Sequence, residues 1–94
     1  MFLILLQYIR PLTAIEHYTE AHNAFLDKYY KSGNFIVSGR RTPRTGAIIL
    51  CRAENRRAVE KIITEDPFDK NNLVMYDIIE FHPSKCLEGL EPFL

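Results

Sequence analysis

His22 stands in line with an apolar helical stripe formed by Ile15, Tyr18, Phe25, Leu26 and Tyr29, whereas Glu16, Glu20, Asp27, Lys28 and Lys31 mostly fall elsewhere. An imidazole placed there points toward the interior, and with an ordinary pKa near ~6.5 it can take or give a proton at neutral pH. The alternative is a satisfied core histidine. Asp66 is the second oddity. It ends a helical stretch at Asp66-Pro67, so its negative charge sits where the macrodipole is already negative, unless hydrogen bonds from the following turn offset this. Between Gly39 and Gly46, the forks of Arg40, Arg41 and Arg44 suit a carboxylate or phenolate, although at least one of them is read as plain surface charge. Ser38 either hydrogen-bonds a ligand or the histidine, or simply ends its strand in a turn. Tyr8 and Tyr76 either line a cleft or pack. Packing is favoured, and Tyr76 is kept with Ser38, Gly39, Arg40 and Arg44 as a candidate for substrate contact.

Other chemistries find little support. The Gly-x-Ser-x-Gly elbow of a serine hydrolase is absent. Cys51 and Cys86 are far apart and show no zinc spacing, so both are read as free thiols. His17 lies five residues from His22, a poor spacing for one helix face, so no metal site is expected. Lys+Arg and Asp+Glu are both 12, which argues against a general nucleic-acid or anionic-membrane binder. RNA binding on the sheet is discounted too, because the aromatic, glycine-rich strand signature is missing. Met1 to Leu6 is apolar but too short for a signal core or a membrane span, and a cytoplasmic location is expected by default.

These residues need elements to hold them. With 47% apolar and 26% charged residues in 94, the composition is that of one globular domain, expected over residues 1–83 with an extended tail at 84–94. Phe2 to Ile9 reads as a strand buried on both faces. Thr13 and Glu16 have the form of a capping box, opening one helix that runs to Ser32, with Gly33 as its left-handed C-terminal residue. Phe35–Val37 and Ala47–Leu50 read as strands joined by a long loop from Gly39 to Gly46. A second helix buries Ala58, Val59, Ile62 and Ile63 and stops at Asp66. The last strand, Leu73 to His82, puts Val74, Tyr76, Ile78 and Glu80 on one face and Met75, Asp77, Ile79 and Phe81 on the other.

The order βαββαβ is the ferredoxin-like α+β plan, a four-stranded antiparallel sheet with two helices on one face. Three of its strands are apolar on both sides, so a monomer would leave an unusually large apolar face open. A two-fold homodimer formed through the sheet faces would cover it.

His22 with Phe25-Leu26, Phe35-Ile-Val-Ser-Gly39, Pro43-Arg-Thr-Gly-Ala-Ile-Ile-Leu50, Asp66-Pro67-Phe68 and Tyr76-Asp-Ile-Ile-Glu-Phe81 together resemble the YciI-like (YCII-related) proteins. The resemblance covers about Phe2 to Pro83 and departs after Ser38-Gly39, where Arg40 replaces the proline of many members. It implies a dimeric α+β barrel with an active site built from a helix histidine and the aspartate of an Asp-Pro-aromatic motif, which fall here on His22 and Asp66. Beside a carboxylate the imidazole has a fixed tautomer, and the two form a proton-transfer pair. Two functions follow as expectations. One is a small enzyme without cofactor, acting on a cyclic or enolic compound, anionic or neutral, by isomerisation, elimination or dehalogenation, as relatives of this fold do. The other is a non-catalytic dimer that binds a small molecule or serves as an accessory protein.

Overall fold

A computed structural model describes residues 1–94. The chain runs β1 (Phe2–Tyr8), α1 (Leu12–His17), α2 (Thr19–Lys31), β2 (Phe35–Arg40), β3 (Gly46–Cys51), α3 (Arg56–Ile63), α4 (Pro67–Lys70) and β4 (Val74–Glu80). The sheet order is β2-β3-β1-β4, and each neighbouring pair is antiparallel. This is the α+β, ferredoxin-like arrangement that the order of elements predicts.

Alternation in β1 decides where the core lies. Phe2, Ile4 and Leu6 are fully buried in one core with Ile15 of α1, Phe25 and Tyr29 of α2 and Val59, Ile62 and Ile63 of α3. Each such side chain contributes ~1.5–3 kcal/mol by leaving water. Leu3 and Leu5 point the other way and are only half-buried, and Gln7 is exposed, so β1 is not buried on both faces within one chain. The open face also carries Val37, Met75 and Ile79, all exposed.

Four local expectations need correction. The long helix is broken at Tyr18 (φ −107°, ψ 6°). There the Ile15 carbonyl accepts from the Tyr18 N–H at 3.1 Å and from the Thr19 hydroxyl at 3.0 Å, a side-chain bond of the kind that bends helices. The Thr13 capping box does not form. Pro11, with φ already at −57°, precedes α1 without any side-chain cap, and Glu16 instead reaches Arg44 at 3.3 Å. Gly39 and Gly46 lie within the strands, leaving only 41–45 as the loop. A Cβ on Gly46 would collide with the Leu6 carbonyl, so the close approach of β1 demands glycine there. Lastly, Asp66 does not end a helix. α3 stops at Ile63, and Asp66 begins the next helical turn with Pro67 as its first residue.

Gly33 has φ +85° and closes α2 as expected. The tail ends in a 3-10 turn, Glu91–Phe93, tethered by Arg52 Nη1 donating to the Pro92 carbonyl at 3.2 Å.

Both cysteines are free, Cys51 buried and Cys86 exposed. Burial pushes the Cys51 thiol up to about 11, so at pH 8 a thiol reagent should modify Cys86 rapidly and Cys51 only on unfolding. A raised folded-state value favours the native state below the unfolded value, and that contribution disappears as pH climbs toward 11. Denaturation midpoints should therefore fall over that alkaline range less steeply in Cys51→Ala than in wild type. Equal slopes, or two rapidly reacting thiols, would contradict the buried assignment.

Candidate active site

The register of the sheet explains which side chains meet. Ser38 opposes Ile49 and Arg40 opposes Ala47, placing both on the helix-covered side of edge strand β2. On β1, Tyr8 follows Phe2, Ile4 and Leu6 on that same side. Above them α2 presents His22. Between these elements lies a cavity of about 320 Å³ lined by His22, Ser38, Gly39, Arg40 and Arg44, with Tyr8, Asn23 and Phe68 among the others. That is room for a compact ligand.

His22 is 6% exposed, and its ring stacks on Phe68 with centroids 3.9 Å apart and planes 5° from parallel. Its Nδ1 lies 2.8 Å from Asp66 Oδ1. A carboxylate only accepts, so Nδ1 carries the proton and Nε2 bears the lone pair. No protein group bonds Nε2, and no buried side-chain polar atom lacks a partner, so Nε2 is reachable from the cavity.

Asp66 is fully buried and does not line the cavity. Its Oδ1 also accepts from the Phe68 backbone N–H at 2.9 Å, and its Oδ2 accepts from the Tyr76 hydroxyl. The carboxylate is thus an N-cap, and the hydrogen bonds of the following turn offset the unfavourable charge placement read from the sequence. Tyr76 is likewise absent from the wall, standing behind Asp66. Burial, then the charge of Asp66, holds its phenol far above its usual range, so it remains a donor. Beside this pair, Glu65 takes Lys28 Nζ at 2.5 Å and the Tyr29 hydroxyl, clamping α2 to the segment that carries Asp66. The hydrogen bond from Lys28, then that from Tyr29, holds the Glu65 carboxyl below its usual range.

The charge facing the cavity is positive. Arg40 makes no ion pair, and Arg44 makes only the exposed one to Glu16. Such surface pairs are worth ~1 kcal/mol or less, so Glu16 holds Arg44 only weakly. Arg41 is not on the wall. Ser38 Oγ lies 2.5 Å from the Tyr30 hydroxyl. No group of three His, Cys, Asp or Glu side chains converges to hold a metal ion.

The model of the YCII-related domain matches residues 1–82. The chain belongs to the YCII-related family. No curated protein sequence matches this YCII-related chain. Among solved structures, it is similar to 5-chloro-2-hydroxyhydroquinone dehydrochlorinase (TftG) of Burkholderia phenoliruptrix, solved in complex with 2,5-dihydroxybenzoquinone. The TM-score is 0.73 at 21% identity, over 87% of this chain and 94% of that one. At that identity the likeness shows a shared fold.

Tyr8, for which packing was favoured over lining a cleft, does line the cavity, as β1 parity puts it level with the buried face. Two other residues of the wall were not singled out from the sequence. Asn23, next to His22, and Phe68, two residues past Asp66, gave no periodic signal, because what they touch is decided by the crossing of α2 over α4.

Proposed function

We propose that this YCII-related chain is a small enzyme that moves a proton on a compact cyclic or enolic anion. The observation that carries the reading is the bare Nε2 of His22 on the cavity wall, with Nδ1 bonded to buried Asp66 at 2.8 Å. In the resting state Nε2 is a base. Asp66 fixes the tautomer and stabilises the imidazolium that forms, while Arg40 and Arg44 bind the anionic oxygens of the substrate. Ser38 and Gly39 form part of the wall beside those oxygens, and Tyr8 offers a phenol. The proton taken by Nε2 leaves an electron pair on the substrate. In isomerisation the pair shifts to another atom, which takes the proton back from Nε2; in elimination or dehalogenation the pair forms a new double bond and the leaving group, a halide in the latter, departs with its own bonding pair. Such steps ask for no cofactor. The dehydrochlorinase of similar fold supports the last class, and its bound dihydroxyquinone is the kind of planar, acidic ring this cavity suits.

The test is turnover of a panel of chlorinated hydroquinones, enol lactones and related enolic anions by wild type and His22→Ala. Product from wild type alone is expected. Equal product from both proteins, or none from either, would overturn the enzymatic reading. The unpaired Arg40 favours a second reading, capture of an anion without turnover. In that case calorimetry with 2,5-dihydroxybenzoquinone should show binding that survives in His22→Gln and weakens in Arg40→Ala.

We also propose that a second copy covers the open sheet face. Val37, Met75, Ile79 and Phe81 are 57%, 61%, 45% and 41% exposed, apolar side chains that a monomer leaves to water on the face away from the helices. Sedimentation should give a dimer, which Met75→Glu/Ile79→Glu dissociates. A wild-type monomer at micromolar concentration would overturn this.

A further inference from the structure

We propose that Tyr76, acting through Asp66, is a positioning residue that sets how strongly His22 holds a proton, taking His22 as the proton-moving group argued above. Asp66 spreads one negative charge over two oxygens. Oδ1 serves His22 Nδ1 and the Phe68 N–H, while Oδ2 accepts from Tyr76. Donation by Tyr76 draws charge toward Oδ2 and away from Oδ1, which loosens the hold of Asp66 on the imidazolium. It also occupies the remaining oxygen, so Asp66 stays aimed at Nδ1 and Nε2 stays bare.

Tyr76 reaches this position because it opposes Leu6 in the β1–β4 register and so faces the helices. Its phenol stays protonated, since burial and the Asp66 charge both resist ionisation. Other titratable or charged groups approach His22 as well. Tyr8 comes from β1, Arg40 from β2 and Arg44 from the 41–45 loop, with Glu16 of α1 paired to Arg44. On α4, the Asp69 carboxyl is raised by burial and then by the charge of Asp66. Of the three groups bonded to Asp66, Tyr76 alone belongs to neither the imidazole nor the capped turn. It can therefore be altered without touching the cavity wall.

Nuclear magnetic resonance titration of the His22 ring protons, with no substrate present, reads this directly. In Tyr76→Phe the titration midpoint should rise by ~0.5–1 unit, since Oδ1 then carries more of the charge. Replacing Tyr76 by 3-fluorotyrosine, a stronger donor of nearly the same shape, should move the midpoint down by roughly a few tenths of a unit. That variant keeps the test decisive if the phenylalanine protein folds poorly. In an Asp66→Asn background, Tyr76→Phe should no longer shift His22. A midpoint that is unmoved or moves the opposite way, or a shift that persists without the carboxylate, would overturn the proposal. Because no turnover is measured, failure of the proposed reaction and failure of this coupling are separate results.

Discussion

Asp66→Ala should destabilise the chain by ~3–5 kcal/mol, the upper range of single substitutions, reached when a buried hydrogen-bond network is broken. The carboxylate is fully buried and satisfies three donors: His22 Nδ1, the Phe68 N–H and the Tyr76 hydroxyl. Alanine leaves all three facing an emptied space, each orphaned donor costing ~1–3 kcal/mol if the surroundings do not collapse onto it. Domains of this size have only ~5–15 kcal/mol in total, so the variant should be marginal at physiological temperature. Asp66→Asn keeps the volume and one acceptor oxygen and should lose less. Urea denaturation followed by circular dichroism measures both. A loss under ~1 kcal/mol in Asp66→Ala would mean that the network contributes little to folding.

Replacing His22 should have the largest effect on turnover. Removing a positioned base typically costs ~10²–10⁴-fold, and here no neighbouring group could substitute, because Asp66 cannot reach the cavity. His22→Gln is the sharper variant: its amide can still donate to Asp66, leaving the buried carboxylate partnered while abolishing basicity. It should keep near-native stability and lose kcat/KM by the same factor as His22→Ala. Full activity in the glutamine variant would remove His22 from the chemistry.

The fold was legible because its strands and helices announce themselves in different periods: alternation in β4 correctly split Val74, Tyr76 and Ile78 from Met75, Asp77 and Ile79. The inward direction of His22 followed from the same reasoning on α2. What failed was local competition between bonds. At the break in the helix the Ile15 carbonyl accepts the Thr19 hydroxyl beside the Tyr18 N–H, a side-chain bond that periodicity ignores. At Asp66-Pro67 the proline was read as a stop. The same dipeptide is also the signature of a helix start, with aspartate as cap and proline as first residue, and that is what forms. The bond from Tyr76 to Asp66 joins two elements by tertiary packing and leaves no trace in spacing.

Strand β2 pairs on one side only, with β3. Ser38 and Arg40 therefore reach the ligand space from the border of the sheet, and Arg44 from the short loop beyond it, whereas the imidazole and its carboxylate are embedded in the interior. Exchanging residues 38, 40 or 44 disturbs few neighbours and should leave the melting temperature almost unchanged. On the proposed function, selectivity can thus drift while the pair that handles the proton is left intact, and one scaffold can be refitted for different small anions at its rim.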